Sequence, residues 1–112
     1  MGVTKTEHYT GRQNSISVLM KAFGHPARVA IIEYLLTVKS CICSDIVNEL
    51  PLAQPTVSQH LKELKAAGII RGSIEGTTIC YCINESAIEI ILNYLSEIAL
   101  HIKHNNTTCC KP

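Results

Sequence analysis

Apolar positions fall into five helical stretches and one alternating stretch along this chain. From Asn14, the residues Ile16, Leu19, Met20 and Phe23 recur three and four positions apart, the spacing that gathers side chains on one face of a helix. Gly24-His25-Pro26 closes that helix and opens the next, with Pro26 suited to a first helical position. From Ala27 to Val38 only Arg28, Glu33 and Thr37 are polar, which predicts a central helix packed all round. Ser44 as N-cap and Asp45 in the first turn predict a short helix from Asp45 to Leu50, broken by Pro51-Leu52-Ala53. A further helix begins near Pro55 and ends at Gly68, a residue suited to the left-handed position beyond a helix end. These two short helices about a tight turn make a helix-turn-helix candidate.

The segment 69–83, IIRGSIEGTTICYCI, alternates β-branched residues with others about Glu75-Gly76 and reads as a hairpin. Asn84 then caps a last helix, with Glu85 in its first turn, that reaches about Lys103. Its Ile88, Ile91, Leu92, Leu95, Ile98, Leu100 and Ile102 cover more than one face. A terminal helix so apolar needs cover on both sides, and a second copy of the chain is the simplest source. The fold expected is mainly α with a β-hairpin wing. Residues 1–13 read as a flexible N-terminus, 14–103 as a winged helix-turn-helix domain for DNA binding and dimerisation, and 104–112 as a flexible cysteine-containing tail.

Composition sharpens this picture at three points. The chain has 112 residues, 46% of them hydrophobic, with four Tyr, one Phe and no Trp, so its single core must be aliphatic. The net charge is only +1, so nucleic acid must be bound through a local basic face. No apolar run approaches the roughly 20 residues of a membrane span, and a cytoplasmic protein without membrane contact is expected. Short matches to a myristoylation pattern at Met1-Gly2 and a glycosylation pattern at Asn106-Thr107-Thr108 carry no weight of their own.

Placed at 100° intervals, Val57, Leu61 and Leu64 share the inward face of the fourth helix. Pro55, Thr56, Gln59, Lys62 and Glu63 lie opposite, with Ser58 and His60 flanking. Gln59 can pair with an adenine edge, Thr56 and Ser58 can read bases or bind phosphate, and Lys62 and Lys65 can neutralise phosphates. His60 is a candidate phosphate contact or a filler of the helix flank. In the hairpin, Arg71 and the Thr77-Thr78 tip would lie along the adjacent backbone or minor groove. Arg28, on the central helix, is expected in a structural ion pair rather than on DNA.

The segments FGHPARVAIIEYL and DIVNELPLAQPTVSQHLKELKAAGII, with the hairpin after them, resemble the ArsR/SmtB family of winged-helix metalloregulators over residues 14 to about 103. The resemblance implies a repressor that needs no cofactor to bind DNA. It implies a homodimer joined by the first and last helices, with Ile16, Leu19, Met20, Ile88, Ile91, Leu92, Leu95 and Ile98 as candidate contacts. It also implies a double-stranded operator with an inverted repeat, release when an ion binds, and recognition helices about one DNA turn, roughly 34 Å, apart.

Six cysteines fall in three pairs, Cys41/Cys43, Cys80/Cys82 and Cys109/Cys110, and nothing in their spacing resembles a disulfide framework. Metalloid-sensing relatives carry Cys-Val-Cys-Asp-Leu at the start of the short helix, often with a third cysteine after it. Here Cys41-Ile42-Cys43 sits one residue earlier relative to Asp45, and the third position is Val47. If residues 41–43 are extended, both thiols point the same way with Cα atoms about 7 Å apart. In a helix they would diverge by about 200°. An ion gripping both would hold the segment non-helical and alter the DNA-reading unit that follows. As(III) or Sb(III) favours three sulfurs, and Cys109 or Cys110 could supply the third. In Cys80-Tyr81-Cys82, Ile79, Tyr81 and Ile83 are expected to face the core, leaving both cysteines as half-buried residues on the other face.

Competing inducers stay open. His101-Ile102-Lys103-His104 resembles half of a zinc site, but Ile88 and Ile90 stand where the other half would be. Cd(II), Pb(II) and Cu(I) also suit thiolates. A persulfide or oxidant could instead link Cys41 or Cys43 to Cys109 or Cys110. No Cys-x-x-Cys beside a βαβ unit, anion loop or Ser/His/Asp grouping supports an enzyme, so a small thiol oxidoreductase is remote. A thiol metallochaperone would not need the helix-turn-helix block.

Overall fold

Helix starts and stops are set by identifiable residues in the computed structural model, which describes residues 8–37, 42–43, 50–75 and 78–105. Helix α1 runs Gly11–Phe23. It begins three residues before Asn14 because Thr10 and Gln13 form a reciprocal capping box: Gln13 N donates to Thr10 Oγ1 and Thr10 N to Gln13 Oε1, each at 3.0 Å. Residues 11–13 therefore belong to the folded domain and not to a flexible N-terminus. Helix α2 runs Pro26–Leu36, with Pro26 at its start and His25 Nδ1 accepting from Ala27 N at 3.0 Å. A β-strand, β1, covers Ile42–Cys43. The short helix expected over 45–50 lies outside the described residues, apart from Leu50.

Helix α3 spans Gln54–Ala66 and ends in a Schellman motif. Gly68 takes the left-handed conformation at φ 85, while its N–H reaches Lys65 O and the N–H of Ile69 reaches Leu64 O, each at 3.0 Å. A side chain at Gly68 would be strained by that backbone, whatever room surrounds it. Strands β2, Ile70–Glu75, and β3, Thr78–Ile83, pair antiparallel in register from Ile70↔Ile83 to Glu75↔Thr78. β1 adds to the far side of β3, giving the order β1-β3-β2. Asn84 ties the hairpin's end back to the helix end: its Nδ2 donates to Gly68 O at 2.9 Å and its N–H to Ile69 O at 2.8 Å. The last helix, α4, runs Glu85–Asn105.

The core lies where α1, α2, α3 and the sheet meet, built from Leu19, Ile31, Ile32, Leu35, Val57, Leu61, Leu64, Ile69 and Ile70. It is aliphatic, as the scarcity of aromatics requires. Helix α2 supplies three of these residues, yet Val29 and Leu36 on its outer side are exposed, so it is not covered all round within one chain. Ile16 and Leu19 of α1 are themselves buried at 7% exposure, which makes them core residues of the single chain rather than surface offered to another copy. Met20, Ile88 and Ile91 are half-buried, whereas Leu92, Leu95 and Ile98 are exposed. α1 and α4 are also joined at the surface by Arg12, which pairs with Glu97 at 2.6 Å and lies 5.2 Å from the ring centre of Tyr94. No helix among the described residues is long and apolar enough to cross a membrane.

Candidate nucleic-acid interface

Helix α3 splits into a buried face and a polar one. Val57, Leu61 and Leu64 are almost fully buried, which fixes the rotation of the helix against α2 and β2. The opposite side presents Pro55, Thr56, Ser58, Gln59, Lys62 and Lys65, all exposed. Gln59 Nε2 donates to Glu63 Oε1 at 3.0 Å, one turn along, so the amide is held along the helix surface in the free chain. Lys65 leans toward the wing: a Cβ at Gly72 would stand 3.4 Å from its Nζ. Arg71, on β2, is exposed as well. Thr77 lies outside the described residues. The row therefore offers an amide, two hydroxyls and three cations on neighbouring elements, the mixture that reads base edges and neutralises phosphates.

His60 departs from that row. It is 8% exposed, and Arg28 Nε donates to its Nδ1 at 3.1 Å. Its ring also lies 4.4 Å from that of His25, tilted by 48°. His60 is thus a buried link between α3 and α2 and is withdrawn from the list of DNA contacts. Loss of water at the buried ring, then the neighbouring His25 and Arg28, hold its pKa below the ordinary histidine value. A neutral ring is also what Arg28 needs as an acceptor. Arg28 is structural as expected but by another route, since its guanidinium donates to His60 and to Ala22 O at 3.4 Å rather than to a carboxylate. A position on the helix flank gives no hint of this, because the partners come from a helix some 32 residues earlier.

The cysteines divide in a way the sequence does not show. Residues Ile42 and Cys43 are extended and pair with β3 in the register Ile42↔Tyr81 and Cys43↔Cys80, while the rest of the extended stretch expected over 41–43 lies outside the described residues. Cys80 is 2% exposed and disulfide-bonded, so it is more than an incidental half-buried residue; Cys82 is a free, half-buried thiol. Tyr81 and Ile83 pack on the core as expected, but Ile79 is exposed at the outer part of the hairpin. Cys41, Cys109 and Cys110 lie outside the described residues. Among the described residues, no three His, Cys, Asp or Glu side chains gather closely enough to hold a metal ion. His101 and His104 are exposed on the last turns of α4.

A helix with one polar face, followed by an antiparallel hairpin and flanked by α1, α2 and α4, is the arrangement of a winged-helix DNA-binding protein. A family described as "Bacterial regulatory protein, arsR family" matches residues 25–71, from the start of α2 into β2. The chain is 40% identical over 81 residues to an HTH-type transcriptional regulator of Methanocaldococcus jannaschii, covering 71% of this chain and 90% of that protein. It is 41% identical over 63 residues to the HTH-type transcriptional repressor SmtB of Mycobacterium tuberculosis, covering 56% of this chain and 46% of that longer protein. An arsenical resistance operon repressor of Staphylococcus xylosus is 26% identical over 76 residues, covering 68% and 72%. In fold, the chain matches a homodimeric winged helix-turn-helix DNA-binding domain from Mycobacterium bovis with a TM-score of 0.63 at 19% identity, covering 98% of each chain. The chain belongs to the ArsR family of transcriptional repressors, which are DNA-binding regulators and not enzymes.

Proposed function

We propose that this repressor works as a homodimer on an inverted-repeat operator and is released when a trivalent metalloid, As(III) or Sb(III), binds its cysteine thiolates. The observation that carries the DNA half is the exposed polar face of α3 set against a fully buried apolar one. Two such helices related by a two-fold axis fit successive major grooves, about 34 Å apart. The dimer is supported by the exposed Leu92, Leu95 and Ile98 on α4. They form an apolar stripe on a helix that a single chain leaves half-covered. The inducer half is supported by thiols that flank the DNA-reading unit, and by the likeness to a repressor of an arsenical resistance operon. An ion that binds one conformation of the strand before that unit shifts the population of DNA-competent dimers.

The disulfide at Cys80 favours a second reading, in which thiol oxidation or persulfide formation is the signal. The two separate in one gel-shift experiment on the DNA upstream of the protein's own gene. Arsenite added to reduced protein is expected to abolish the shifted band, and a small dithiol chelator to restore it. Release by polysulfide but not by arsenite, reversed by a reductant, would replace the metalloid with the redox signal.

A further inference from the structure

We propose that His25, Arg28 and His60 form an acid-sensitive latch on the DNA-reading helix, so that a fall in pH releases the repressor from DNA without any thiol ligand. The inference rests on the reading of α3 as the DNA-contacting helix. Arg28 joins three helices at one point: it stands on α2, its Nε donates to His60 Nδ1 of α3 at 3.1 Å, and its guanidinium also donates to Ala22 O of α1 at 3.4 Å. His60 is the acceptor that ties α3 to this pin. Its ring is buried and lies 4.4 Å from the ring of His25, whose Nδ1 in turn accepts from Ala27 N at 3.0 Å. Both rings therefore use Nδ1 as an acceptor, and a proton there turns each acceptor into a donor.

A proton on His60 changes two things at once. The ring loses the bond from Arg28, and an imidazolium then faces a guanidinium in a place that water hardly reaches. Of the charged groups around it, His25 and Arg28 on α2 oppose the proton, whereas Glu63, one turn along α3, favours it. Burial adds to the opposition, and the balance holds the pKa below the ordinary value. Toward α1, Lys21 lines a cleft of ≈310 Å³ with Arg28 and Glu63, which adds a further cation and gives Arg28 room to swing aside once its bond is lost. Below the lowered pKa, α3 must part from α2 or turn His60 outward. Either movement displaces Gln59 and Lys62, its neighbours on the exposed face, and so favours a form that binds DNA less well. The sign is distinctive. His8, His25, His101 and His104 are exposed, and their protonation alone adds positive charge that would tighten binding to a polyanion. A latch opened by acid weakens it instead.

The test follows fluorescence anisotropy of full-length protein, kept reduced, on labelled DNA from upstream of its own gene between pH 7.5 and pH 5.0 at constant ionic strength. The parent is expected to lose about ten-fold or more in affinity over that range, with one proton taken up per subunit. His60→Gln keeps an acceptor for Arg28 but takes no proton, so it should bind at pH 7.5 and hold or gain affinity in acid. His25→Asn keeps a helix cap and should still lose affinity. In the free parent, the NMR amide signals of Gln59 to Lys62 should move together with a midpoint below about 6.5, while circular dichroism shows that the helices persist. Affinity that stays flat or rises as pH falls, an acid loss that survives in His60→Gln, or signals that do not titrate would overturn the latch and leave the DNA reading standing. No specific binding at pH 7.5 would remove the DNA reading, and the latch with it.

Discussion

Helices α3 and α4 leave opposite kinds of surface uncovered. In α3 the large apolar residues are few and fully used: Val57, Leu61 and Leu64 are buried, and the exposed face is polar apart from Pro55 and Ala66. In α4, 21 residues long, Ala87 is buried while Leu92, Leu95 and Ile98 stay 59%, 49% and 42% exposed. The first helix is complete within one chain, and what it offers outward is hydrogen bonds and charge. The second is incomplete, and what it offers is area that water covers poorly. An exposed helix face therefore points to a polyanion in one case and to an apolar partner in the other.

The comparison can be broken most sharply at α4. Leu95→Glu with Ile98→Glu is expected to turn a dimer into a monomer by analytical ultracentrifugation, and to weaken operator binding by about 100-fold or more, since two linked half-sites become independent. A dimer that survives both changes would place the interface elsewhere. On the buried side of α3, Leu61→Ala should cost about 2–5 kcal/mol of folding stability in urea unfolding, because the site sits in the closed core.

On its exposed side, stability should hardly move. Gln59→Ala is expected to cost about 1–3 kcal/mol on the specific operator and to relax base preference. Lys62→Ala should weaken all sequences alike and lower the salt slope by about 1 in a fluorescence titration. Equal losses for both variants on all sequences would reduce the helix to a phosphate contact.

The smallest effect concerns His60, whose folded pKa is lowered. Stability held by its neutral form is present above the ordinary histidine value of about 6.5 and is lost as pH falls through the lowered folded value. Urea midpoints should drop from pH 7 to pH 5 in the parent, and less so in His60→Gln. A flat profile in the parent would mean that the Arg28–His60 contact tolerates protonation.

Much of this division was legible in the sequence. The spacing of Val57, Leu61 and Leu64 gives the buried face of α3, and Gly68 marks its end. The excess of apolar residues after Asn84 signals a helix wanting a partner. What escaped depended on long-range placement. His60 sits on the helix flank, and only the approach of His25 and Arg28 from α2 makes it interior. Ile16 and Leu19 have the spacing of an interface as much as of a core, and their burial within the single chain decides for the core. The start of α1 was readable, since Thr10-x-x-Gln13 is a capping-box pattern, but the polar run around it masks the signal. The opposition of Cys43 and Cys80 could not be read at all, because two Cys-x-Cys segments nearly 40 residues apart reveal no register until β1 joins β3.

The central claim is that the polar face of α3 reads DNA sequence. Fluorescence anisotropy of reduced protein, on labelled DNA from upstream of its own gene and on a scrambled duplex at moderate salt, tests it most directly. The account predicts binding at least about 1,000-fold tighter to the upstream DNA, with the difference shrinking in Gln59→Ala. Equal affinity for both duplexes, or none for either, would contradict it.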